Sequence, residues 1–173
     1  MSNYTLWTNR NYHLLITMLI DIQRMLNYDE GYKLTVYRCS AGYLTGGIGH
    51  NFDADPALKI MHRKVRFGDK LSPDEALALF DYDLKKVMRG LKTSLPFFEL
   101  APENIQAVLI NMAFQLGING LLRFKKMLAA INIGDYEKAA MEIEDSKYYT
   151  DTPNRARRVM WMCVGSIDKH YLA

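Results

Sequence analysis

The side chains that could do chemistry crowd into one stretch, YDEGYKLTVYRCSAGYLTGGIGHNF from Tyr28 to Phe52. Glu30 falls where an apolar helical pattern stops and Gly31 turns the chain towards a strand-like segment. A carboxyl group at such a junction stands where clefts form, and partial burial favours the neutral form that a general acid needs. The plain alternative is an exposed glutamate at a helix end. Thr45 brings a hydroxyl, but by itself reads as a β-branched strand residue. Cys39 brings a thiol, mostly neutral at pH 7 with an ordinary value near 8.5. His50, at the end of GGIGH, is open to an acid–base role or a structural one.

The elements that must position these groups can be read from periodicity and punctuation. Ahead of Glu30, Leu14, Leu15, Met18, Leu19, Ile22, Met25 and Leu26 recur at helical spacing. The run is far short of the roughly 20 apolar residues that span a bilayer, and no small-residue cleavage site follows it. From Gly31 to about Phe52, β-branched and aromatic residues among glycines predict two or three short strands. The segment 53–70 reads as a short helix and loop. Ser72-Pro73-Asp74-Glu75 is a capping box with proline at the first helical position, starting a long helix to about Leu91. Glu103–Leu116 is apolar nearly all round and predicts a buried central helix ended by Gly117. Helices over Leu121–Ile131, Tyr136–Lys147 and Pro153–Val164 follow, with Thr152 as an N-cap. The expected fold class is α+β: a small antiparallel β lobe (28–71), a connecting helix (72–92) and a larger helical lobe (1–27 and 93–173), all in a single domain.

Composition sets outer limits. Across 173 residues the chain is 49% hydrophobic and 24% charged, enough apolar material for a core without disulfides. A net charge of +3 is too mild for a dedicated nucleic-acid binder. Cys39 and Cys163 follow no metal-ligand or CxxC spacing and fit a reducing place of synthesis. Cys163, amid Trp161, Met162 and Val164, reads as a core residue. Arg157, Arg158, Lys125 and Lys126 read as solvated surface. Gln115, a polar side chain in so apolar a helix, needs partners.

Taken together, DEG…GY…T-x-G-I-G-H resembles the phage-type lysozymes, the T4-lysozyme-like endolysin muramidases. Their pattern is Glu, eight residues, Asp or Cys, five residues, Thr, and Glu30, Cys39 and Thr45 stand at those intervals. The likeness continues through Arg89-Gly90, LINMAFQLG (Leu109–Gly117) and TPNRARRV (Thr152–Val159), covering about residues 25–173. The resemblance implies a lysozyme-like fold with a groove between its lobes, and hydrolysis of the β-1,4 bond between N-acetylmuramic acid and N-acetylglucosamine in peptidoglycan. It assigns Glu30 as acid, Thr45 and Cys39 as its catalytic companions, and Asn51, Phe114, Gln115 and Arg155 to substrate binding. Arg155 is also matched to an arginine that reaches the catalytic carboxylate, and His50 to a structural pair with Asp83. Asn51 and Cys39 depart from the commoner side chains at those places.

No metal and no organic cofactor is implied, nor a nucleic-acid partner. The implied setting is a monomeric endolysin made in the host cytoplasm, reaching the wall in the periplasm after holin-type permeabilisation of the membrane. A lytic transglycosylase or an antibacterial effector on the same fold is the alternative. The chain has more residues ahead of Glu30 than the compact members of the family, and a shorter 51–71 segment.

Overall fold

The computed structural model describes residues 22–165 and Tyr171; the apolar positions Leu14, Leu15, Met18 and Leu19 lie outside these residues. Helix α1 (22–30) buries Ile22, Met25 and Leu26, continuing the expected stripe onto the core. The Gly31 N–H donates to the Asn27 carbonyl at 2.9 Å, and the left-handed Gly31 then releases the chain into strand β1, Lys33–Arg38.

Strands β2 (Leu44–Gly47) and β3 (His50–Asn51) complete an antiparallel sheet of order β1-β2-β3. Tyr37 pairs with Thr45, and Thr45 in turn with Asn51. A short helix α2, Leu58–Met61, follows. The fold is thus α+β, a small antiparallel sheet beside a larger helical part, as expected.

Helix α3 (Pro73–Ser94) is the element that joins the two parts. Its start is the capping box read from the sequence: the Ser72 hydroxyl accepts from the Glu75 N–H at 3.1 Å, and the Glu75 carboxylate accepts from the Ser72 N–H at 2.8 Å. At 1.5 Å per residue it is about 33 Å long. One side of α3 gives Leu79 to a small core with Val36, Phe52, Ala57, Met61, Val65 and Leu71. Phe80, Leu84 and Leu91 go instead to the large core around Ile105, Leu109, Ile110 and Met112. A single helix is therefore mortared into both cores, which fixes the sheet against the bundle.

Helix α4 (Glu103–Leu121) is buried along most of its length, but Gly117 breaks it with φ 70° and ψ 164°. That region is open essentially to glycine alone, so the helix turns where Gly117 was expected to end it. Helix α5 begins at Lys125 and runs to Asn132. The helix expected over Tyr136–Lys147 is two: α6 (Tyr136–Glu144) and α7 (Lys147–Asp151). Ser146 divides them, since its hydroxyl accepts from the Tyr149 N–H and starts α7 as an N-cap.

Helix α8 spans Pro153–Val164 as expected. Thr152 precedes it, yet its hydroxyl donates back to the Tyr148 carbonyl at 3.0 Å and caps nothing. Cys163 is buried in the large core, and burial pushes its thiol up to about 12. Among the described residues no single helix is long and apolar enough to cross a membrane.

Candidate active site

Glu30 sits at the last turn of α1, where its side chain is about one-fifth exposed. Two neighbours fix it. Arg155 of α8 donates from Nη1 to Glu30 Oε1 at 2.7 Å. On its other flank lies Gly49, in the turn between β2 and β3. A β-carbon there would stand 2.9 Å from Glu30 Oε2 and 3.1 Å from its Cβ, and Gly49 is left-handed at φ 74°. Both the crowding and the conformation require glycine at 49.

Behind the carboxylate is a buried polar network. Arg155, 7% exposed, also donates from Nε to Asn111 Oδ1 at 2.8 Å and from Nη2 to the Asn111 carbonyl at 3.0 Å. Asn111 Nδ2 donates to Asp29 Oδ2 at 2.7 Å. Asp29, wholly buried, further accepts from Arg158 and, at 2.8 Å, from the Tyr171 hydroxyl. Two arginines thus face two carboxylates, Asp29 and Glu30, and the buried charges balance. Desolvation works against the charged Arg155, but the carboxylates of Glu30 and Asp29 outweigh it and hold its proton more firmly still. Tyr148 lies close to these charges with no partner for its hydroxyl among the described residues, and burial pushes its phenol up to about 12.

A cleft of about 550 Å³ opens in front of Glu30, between β3, α3 and α4. Gly49, Asn51, Phe114 and Gln115 line it with Glu30, as do His50, Asp55, Asp83 and Lys86. Gln115 lines the cleft, and its Oε1 is buried without a hydrogen-bond partner among the described residues. Phe114 stacks at a tilt on Phe80, with ring centres 6.0 Å apart. Asn51 is less free, because its Oδ1 accepts from the Asp53 and Ala54 N–H groups at 3.0 Å.

The other two carboxylates of the cleft also have partners. Asp83 binds His50 Nδ1 at 2.7 Å, while His50 Nε2 meets the Asp55 carbonyl at 2.8 Å. Desolvation would lower the His50 value, but Asp83 and the Asp55 carbonyl prevail and raise it. The structural pair is therefore present, tying β3 to α3. Asp55 gives one oxygen to the Ala57 N–H and the other to Tyr82 and Lys86.

Cys39 and Thr45 stand apart from this lining. Thr45 is buried at 6% exposure, in register with the cleft residue Asn51, and its hydroxyl donates to the Tyr43 carbonyl at 3.0 Å. A hydroxyl has one proton, which Thr45 can give to this carbonyl or to the Cys39 sulfur, and its oxygen can accept from a water. Desolvation works against the Cys39 thiolate, but the Ala41 N–H, the Thr45 hydroxyl and the Tyr43 N–H hold the thiol below its usual range. Arg155 is likewise no part of the cleft wall; it lies beneath Glu30.

The family model described as phage lysozyme matches residues 27–157, well over half the chain. The chain belongs to the phage lysozyme family. As such it is a lysozyme-type enzyme that breaks down peptidoglycan. It is 35% identical to probable T4-type lysozyme 1 of Dictyostelium discoideum over 83% of this chain and 93% of that one. It is 34% identical to the pre-baseplate central spike protein Gp5 of Enterobacteria phage T4 over 87% of this chain, though it spans only 29% of that longer protein. An endolysin of Acyrthosiphon pisum secondary endosymbiont phage 1 is 26% identical, over 65% of this chain.

Arg158 is not solvated surface: it is ion-paired to Asp29 and packs against the rings of Tyr28 and Tyr171, 4.7 and 5.4 Å from their centres. Its place three residues after Arg155 on α8 was the available signal, since residues three apart share a helix face. Asp29 and Asn111 were not singled out either. Asn111 could have been, by the same reasoning that drew notice to Gln115: a polar side chain in an apolar helix must be bonded to something. Arg157, Lys125 and Lys126 are exposed as expected. Among the described residues no group of three His, Cys, Asp or Glu is placed to hold a metal ion.

Proposed function

We propose that the enzyme cuts the β-1,4 bond between N-acetylmuramic acid and N-acetylglucosamine, with Glu30 as the general acid. The observation that carries this reading is the state of the three cleft carboxylates. Asp55 has both oxygens engaged and Asp83 holds the buried His50 through Oδ2, whereas Glu30 is oriented by the buried Arg155 through Oε1, with Oε2 left without a hydrogen-bond partner among the described residues, and of the three it alone stands at the position of the family's leading glutamate. Arg155, holding Oε1, fixes which oxygen points to substrate. Glu30 Oε2–H would then protonate the departing glycosidic oxygen.

In this reading water attacks the opposite face of the sugar, inverting the anomeric centre, with Thr45 holding the water and Cys39 beside it. The depressed thiol supports some thiolate at Cys39, a partial substitute for the carboxylate usual there. Gln115 offers an acceptor to a sugar amide or hydroxyl, and Phe114 an apolar wall. Asn51 contributes shape through its turn rather than a free amide. No cofactor is called for.

The setting we propose is a monomeric endolysin, made in the host cytoplasm and admitted to the wall by holin-type permeabilisation. The likeness to Gp5 favours a second setting, the same chemistry carried as one module of a larger particle. Digestion of purified peptidoglycan tests the chemistry directly. Wild type should yield reducing-end muramic acid by mass analysis, and Glu30→Gln should lose roughly a thousandfold in rate. Anhydro-muramic ends would instead mean a lytic transglycosylase, and a fully active glutamine variant would remove Glu30 from the mechanism.

A further inference from the structure

The sheet has two edges with different fates. β3, with His50 and Asn51, borders the cleft; β1 is the opposite edge. Along β1 the chain at 68–71 runs as an irregular added strand. Gly68 N–H donates to the Val36 carbonyl at 2.9 Å, Val36 N–H to the Asp69 carbonyl at 2.9 Å, and Leu71 N–H to the Leu34 carbonyl at 2.8 Å. The turn ahead of it is closed by the Arg66 N–H donating to Asp69 Oδ2 at 2.8 Å. Phe67 is held out on this braced turn, 68% exposed, the most exposed large apolar side chain between residues 31 and 71; Leu58, at 57%, is next.

The segment that carries Phe67 is strongly basic. Residues 58–70 carry Lys59, Arg63, Lys64, Arg66 and Lys70 against Asp69 alone, five minus one, or +4. The whole chain is only +3, so everything else sums to −1. Arg63 is paired with Glu75. Lys59, Lys64, Arg66 and Lys70 are exposed and enter no salt bridge among the described residues, Lys70 donating only to the Thr35 hydroxyl.

We propose that this β1 edge docks on a bilayer surface rich in anionic phospholipid, with Phe67 entering the headgroup layer beside the cations of its own turn. Cations alone would suit any polyanion. The exposed phenylalanine among them needs an apolar phase within a few ångströms of the negative charge, and an anionic bilayer supplies both. The cleft lies at the other sheet edge, so the docked enzyme keeps its groove open to the wall. The inference is separate from the hydrolase reading and does not depend on it.

Sedimentation of the full chain with vesicles tests it. The protein should pellet with phosphatidylglycerol–phosphatidylethanolamine vesicles at low salt and stay in solution with phosphatidylcholine. Lys64→Gln with Arg66→Gln should weaken partitioning about thirtyfold, and Phe67→Ala about tenfold. Both variants should hydrolyse soluble peptidoglycan fragments at the wild-type rate, which reports that they are folded. Absence of binding to the anionic vesicles, or equal binding to phosphatidylcholine, would overturn the proposal. So would binding that Phe67→Ala leaves unchanged, since that is attraction by charge alone, as to a wall polyanion.

Discussion

At the scale of single residues, the glycine at 49 and the thiol at 39 make the sharpest demands. Gly49→Ala must either twist the β2–β3 turn out of its left-handed form or push the Glu30 carboxyl aside, because its new carbon would overlap Oε2. A misplacement of about 1 Å at a reacting group costs on the order of a hundredfold in rate, and the alanine variant should show that loss in turbidity assays at temperatures where it remains folded. The two cysteines should separate cleanly. Cys39 is partly exposed with a lowered thiol, whereas Cys163 is buried with its thiol pushed up to about 12. In native protein one thiol should react with a disulfide reagent, and a second only after denaturation. Alkylation of Cys39 should depress activity while Cys39→Asp preserves it; an alkylated enzyme of full activity would remove that thiol from the chemistry.

Among the elements, the tie between β3 and α3 has a pH signature. The His50 value is raised in the folded protein above its unfolded value near 6.5. The folded state therefore binds the proton more tightly, and the stabilisation is fully present below about pH 6.5 and fades as pH rises through the higher folded value. The melting temperature should fall over that window, and Asp83→Asn should flatten the fall. Element boundaries also show what sequence can convey. The capping box of α3 and the strand glycines are local signals, and both were legible. The split between α6 and α7 was less so, because Ser146 acts as a cap only when its hydroxyl finds the Tyr149 N–H, and apolar periodicity runs through the break. Thr152 shows the reverse, a good capping residue whose hydroxyl is drawn back to Tyr148.

For the molecule as a whole, the site depends on parts far apart in sequence. Glu30, Thr45 and Gln115 could be picked out by type and spacing together with family likeness. The network beneath them could not, because Asp29, Asn111 and Arg158 meet only once α1, α4 and α8 have packed. Arg155→Ala would leave Asp29 and Glu30 facing one arginine instead of two, and breaking a buried pair from one side costs about 3–5 kcal/mol. Chemical denaturation should show a loss of that size, with Arg155→Lys recovering part of it. An unchanged midpoint for the alanine variant would mean that Arg158 alone balances both acids.

The bond from Arg155 to Glu30 joins residues 125 positions apart. On a ribosome, the acid emerges long before the guanidinium that will orient it. Until α8 has been synthesised and docked, the nascent chain carries Glu30 without the partner that holds it. The carboxylate of the cleft is thus set only once that later helix is in place.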